Sequence, residues 1–172
     1  MKFAIIGLSF LILFSCSPKP YKVVQSAKNE YNASSNGTLI YLQRKINPLK
    51  LIFKRLDRKI DEENFVFIFS WVNHLPIAGT NDFRALFVDN GRNKKRFFYN
   101  KIEAPKTVYM VTDNSNFRDL DFILGKVLEG KVEDLASLPP KFSSAEVGEQ
   151  FYVFDIKNGK AKVYIIKNFF LD

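Results

Sequence analysis

The chain has 172 residues, 47% hydrophobic and 26% charged, a length and balance that suit one globular domain. Eighteen Phe and seven Tyr supply the apolar bulk of a sizeable core and exclude wholesale disorder. A single Cys excludes an intrachain disulfide framework and Cys-based zinc or iron–sulfur centres, and a single His excludes multi-His metal sites.

The first fifteen residues read as an address. Lys2 gives a short positive start, and Phe3 to Phe14 form a twelve-residue apolar stretch broken only by Gly7 and Ser9. As a helix it spans roughly 18 Å, too short for a hydrocarbon core of about 30 Å, so residues 1–15 are expected to be a cleavable export signal. The only thiol follows at once, in Leu13-Phe14-Ser15-Cys16. This segment resembles the lipobox of bacterial lipoproteins, in which a small residue precedes a Cys that is diacylated and becomes the mature N-terminus. Phe14 stands where a smaller residue is usual, a relaxed form similar to lipoboxes of the Bacteroidota. The resemblance covers about the first twenty residues and implies a membrane anchor at Cys16, since two acyl chains hold a protein stably on a bilayer. Surface-displayed lipoproteins of that group tend to carry acids after the Cys. Lys19 and Lys22 stand there in this chain, which implies an outer-membrane position facing the periplasm.

Ser17-Pro18-Lys19-Pro20 is expected to stay extended, and Asn32-Ala-Ser-Ser-Asn36-Gly37 is rich in turn formers. Residues 16–37 therefore read as a lipid-anchored tether and 38–172 as the folded domain. Charge follows this division loosely. Residues 17–60 hold ten Lys and Arg against two acids, whereas 61–172 hold fifteen against sixteen.

Asn47-Pro48 signals a helix start, and Leu49, Ile52, Phe53, Leu56 and Ile60 recur at helical spacing among Lys50, Lys54, Arg55, Arg58 and Lys59. The spacing predicts an amphipathic basic helix over 48–60. Its stripe suits packing on a sheet while its cations suit contact with anionic headgroups. Phe65–Val72 is apolar on both alternating faces, which predicts a central strand covered on both sides. A ten-residue loop, Asn73–Asp82, leads to a strand over Phe83–Asp89, and Asn90-Gly91-Arg92-Asn93 turns it into a strand at Arg96–Tyr99. Lys94-Lys95-Arg96 beside Phe97-Phe98-Tyr99 mixes cations and aromatics, but it reads as a charged hairpin tip with core rings and not as a nucleic-acid surface. Thr107–Thr112 is another strand. Asn114-Ser-Asn116 is placed to cap a helix carrying Phe117, Leu120, Ile123, Leu124, Val127 and Leu128 and ending near Gly130, with Leu135 and Leu138 in a short apolar piece beyond it. Asn158-Gly159 between Phe151–Ile156 and Lys160–Ile166 is the clearest hairpin signal. The order predicts an α+β fold: a largely antiparallel sheet of about five or six strands packed against two main helices.

No catalytic, cofactor-binding or metal-binding motif emerges. His74, with Asp82 at the far end of its loop, is the one weak candidate for a catalytic pair. Asp113 and Asp119 read as partners of a helix start. The pattern favours a non-enzymatic, membrane-anchored envelope module that binds a protein or small ligand. The alternatives are a small envelope hydrolase using His74 with a nearby carboxylate, and an immunity-type lipoprotein that neutralises a toxin.

Overall fold

The structure, a computed structural model, describes residues 19–34, 48–56, 60–73, 81–91, 94–101, 104–113, 115–138 and 149–169. In chain order its elements are α1 (Lys19–Ser34), α2 (Pro48–Arg55), β1 (Phe65–Asn73), β2 (Asn81–Asp89), β3 (Lys94–Lys101), β4 (Ala104–Val111), α3 (Arg118–Leu128), α4 (Val132–Ser137), β5 (Glu149–Lys157) and β6 (Lys160–Phe169). The six strands form one sheet in the order β4-β3-β2-β1-β5-β6, with every neighbouring pair antiparallel. The fold is therefore α+β as the sequence predicts, with two helices more than the pattern showed.

Residues 65–70 of β1 are all buried because β1 lies inside the sheet and both of its faces are covered. On one face Phe65, Phe67 and Phe69 meet Phe83, Phe87, Phe98 and Phe154 beneath α1 and α2. On the other, Val66 and Ile68 meet Leu86, Val88, Phe97 and Val153 beneath α3 and α4. The stripe of α2 (Leu49, Ile52, Phe53) is spent on the first face, and Ile60 packs against the same cluster. The helix ends at Arg55, and residues 57–59 of the expected 48–60 span lie outside the described residues.

Residues 19–34 correct the expectation of an extended tether, for they form α1 and the described fold begins at Lys19, not near 38. Pro20 occupies the first turn, where a missing N–H breaks no helical bond. Val24 is 0% exposed and Ala27 is buried, with Tyr21 and Tyr31 packed alongside. These four positions make a helical stripe. It is thin, and a helix of this composition is held by docking on the sheet more than by its own propensity.

Strand ends also shift. Asn73 pairs with Asn81 and Val72 with Asp82, so β1 and β2 take both ends of the expected ten-residue loop, and residues 74–80 lie outside the described residues. Strand β3 runs beyond Arg96–Tyr99 at both ends. Alternation along β3 buries Arg96, 3% exposed, on the face of Phe98, and sets Lys95 on the other face, 2.6 Å from Asp121. The basic run is thus a solvated tip only at Lys94, while its aromatics Phe97 and Phe98 are core.

Two turns follow their sequences closely. Asn158 and Gly159 both take positive φ, 52° and 71°, the geometry that a two-residue hairpin turn demands. Gly130, at φ 71°, ends α3: its N–H donates to the Val127 carbonyl at 3.1 Å and the Lys131 N–H to the Lys126 carbonyl at 2.8 Å. Beside the first turn, the Asp61 carboxylate accepts the N–H groups of Glu63 (2.9 Å) and Asn64 (3.0 Å). The Glu63 N–H foremost among these bonds holds the Asp61 carboxyl below the usual range, against the opposing effect of burial. Asn64 accepts the Asn158 N–H at 3.0 Å, and the Gly159 N–H donates to the Glu63 carbonyl at 2.9 Å, tying the hairpin to the start of β1.

Candidate functional site

Arg84 is the one charged residue within the apolar run Phe83–Val88 of β2. Alternation turns it onto the α3 side of the sheet, directly across from Ser70 of β1. Two carboxylates converge on it there. Asp119 comes from the first turn of α3, where negative charge also suits the helix dipole. Glu149 comes from the first residue of β5.

The guanidinium is used on every side. Nη2 donates to Asp119 Oδ2 and to Glu149 Oε2. Nε donates to Glu149 Oε1 at 3.2 Å, and Nη1 to Asp119 Oδ1 and the Asn116 carbonyl, both at 3.3 Å. The Ser70 hydroxyl donates to Glu149 Oε1, and the Leu120 N–H donates to Asp119 Oδ1 at 2.8 Å. The side chains of Arg84, Asp119 and Glu149 are 24%, 17% and 15% exposed, so the cluster is largely dry. Burial opposes the charge on Arg84, but the attraction of Glu149 and then of Asp119 outweighs it and raises the guanidinium above its ordinary value. One guanidinium against two carboxylates leaves the cluster with a net negative charge.

Beside it lies a cavity of about 360 Å³, lined by Phe83, Arg84, Tyr99, Asn100, Val111, Asp113, Ser115, Asn116 and Phe117. Its wall is aromatic: Tyr99 stacks on Tyr109 at 5.3 Å and lies 6.2 Å from the Phe117 ring. Its rim is polar and set by a tight turn, in which Asp113 accepts the Ser115 N–H at 3.0 Å and the Ser115 hydroxyl at 2.9 Å. This corrects the capping expectation. The residue before α3 is Phe117, with no side-chain cap bond, and its ring is buried 5.0 Å from Phe97. Core packing of that ring took the position a polar cap would occupy.

Cys16 and His74 lie outside the described residues. The backbone of Asp82 pairs across β1 with Val72, inside the strand and not at a loop end. Asp119 was legible only as a dipole partner; Arg84, Glu149 and Ser70 were missed. Their signal was an isolated Arg and an isolated Ser inside apolar strand runs, where a buried polar group requires partners.

No family model, curated protein or solved structure matches this chain. Among the described residues no helix is long and apolar enough to cross a membrane, and no three His, Cys, Asp or Glu side chains are grouped to hold a metal ion.

Proposed function

We propose that this chain is a lipid-anchored protein of the bacterial envelope that acts by binding, with the cavity beside Arg84 facing its ligand. The observation that carries the anchor is Leu13-Phe14-Ser15-Cys16, which places the only thiol where a lipobox needs it. The arrangement around Arg84 favours binding because its charges are fixed against one another in a preorganised cluster. The ligand that fits carries a positive charge for the Asp113 carboxylate in the cavity lining, beside the Arg84 cluster with its net negative charge. Beside the charge it carries an aromatic or aliphatic group for Tyr99, Val111 and Phe117.

Mass spectrometry of the mature protein tests the anchor. A diacylated Cys16 at the N-terminus is expected, and Cys16→Ser moves the protein from the membrane to the soluble fraction. An unmodified Cys16, or cleavage elsewhere, overturns it. The binding site is tested by pull-down with Ser115→Trp, which puts an indole across the cavity mouth from an exposed position. A partner captured by the parent chain is expected to be lost at least tenfold, with the thermal midpoint unchanged. Equal capture by both chains removes the cavity from consideration.

A further inference from the structure

The sheet carries a second cavity, of about 400 Å³, at its β5–β6 hairpin end. It lies between the β5–β6 hairpin, which contributes Asp155, Lys157, Lys160, Lys162 and Tyr164, and the α3–α4 junction, which contributes Val127, Gly130, Val132 and Glu133. The hairpin register explains the lysines. Lys157 stands opposite Lys160 and Asp155 opposite Lys162, all on the α3–α4 face. Like charges set directly opposite destabilise a sheet. Asp155 takes up Lys157 at 3.0 Å, whereas among the described residues no ion pair is made by Lys160 or Lys162. Lys160 and Lys162 thus share the cleft with the carboxylates of Glu133 and Asp155, and the lining keeps a small positive excess.

Helix α1 packs on the opposite face of the sheet, but its first residue lies at the same hairpin end as the cleft. Lys19, its first residue, reaches Glu63 at 3.3 Å, and the carbonyl of Glu63 accepts the N–H of Gly159 in the hairpin turn. Lys19 stands three residues after Cys16, a reach of at most about 10 Å. Because α1 is docked through Val24 and Ala27, an acyl anchor at Cys16 holds the hairpin end of the domain close to the headgroups. Arg84 lies five positions along β2 from Asp89, the β2 residue at this end of the sheet, so the Arg84 cavity lies toward the opposite end.

We propose that the hairpin end seats on the membrane and that the cleft takes the phosphate of an anionic lipid headgroup between Lys160 and Lys162, with Lys157 at the rim. The position in this inference rests on the anchored reading; the charge chemistry does not. Glu133 and Asp155 reduce the positive charge of the lining, so a single free anion binds more weakly than a surface of many headgroups. An anionic bilayer offers several headgroups at once to Lys157, Lys160 and Lys162.

The test uses the mature chain, residues 16–172, carrying Cys16→Ser; both described core clusters lie within it. Vesicles of phosphatidylcholine are compared with vesicles that also contain phosphatidylglycerol. Sedimentation with the anionic vesicles alone is expected, weakening as salt rises. The triple variant Lys157→Gln, Lys160→Gln, Lys162→Gln is expected to lose affinity about tenfold or more while keeping its thermal midpoint. Equal binding of both vesicles, or no effect of the triple variant, overturns the proposal. So does saturation of the cleft by micromolar glycerol 3-phosphate, which makes it a site for a soluble phosphate. An unmodified Cys16 in the native protein with vesicle binding intact sinks the anchor alone. An acylated Cys16 with no vesicle preference sinks the cleft alone.

Discussion

Phe67→Ala is expected to destabilise the domain by about 3–5 kcal/mol, a large share of the roughly 5–15 kcal/mol that holds a domain of this size together. Phe67 is 0% exposed at the middle of β1. Its ring lies 5.1 Å from Phe53, 6.3 Å from Phe69 and 6.1 Å from Phe154, joining α2 to two strands. Interlocked rings on a sheet relax poorly, so most of the vacated volume persists as a cavity. Urea denaturation followed by circular dichroism measures the loss as a lower midpoint at unchanged slope. Leu138→Ala is the matched control: Leu138 is largely exposed, and its loss should stay within about 0.5 kcal/mol. A cost under about 1 kcal/mol for Phe67→Ala contradicts the two-faced burial of β1.

The second large effect is expected at Arg84. Arg84→Ala leaves Asp119 and Glu149 facing each other in a largely dry site with no cation between them. Removing one partner of such a cluster costs about 3–5 kcal/mol, because the remaining charges stay desolvated and uncompensated. Removing all the charges together, as Arg84→Met with Asp119→Asn and Glu149→Gln, should cost distinctly less than Arg84→Ala alone. The same denaturation experiment on the two variants decides it. If the single variant is the more stable one, the cluster behaves as a solvated surface network and its role in shaping the neighbouring cavity falls with it.

Which parts of this fold were legible follows from the range of the interactions that specify them. The Asn158-Gly159 hairpin, the all-apolar run of β1, the stripe of α3 and its stop at Gly130 depend on residues a few positions apart, and each was readable from the chain. Helix α1 was not. Its four stripe positions are diluted by Lys, Gln, Ser and Asn, and Pro20 and Asn32-Ala-Ser-Ser read locally as coil. The helix is stabilised by β6 and α2, and that surface exists only after the sheet has formed. The cap of α3 was misread for a related reason: burial of Phe117 against Phe97 outweighed the preference for a polar side chain at that place.

The sequence by itself determined the α+β class and the faces on which most core residues lie, because these are written in periods of two and 3.6. Only the tertiary structure decided the site. Arg84 finds Asp119 and Glu149 at separations of 35 and 65 residues, and the lysines of the β5–β6 hairpin meet the α3–α4 junction across a gap no local pattern records. Such meetings depend on strand order and crossover. A charge inside an apolar strand announces that it needs partners, but sheet topology selects which ones it receives.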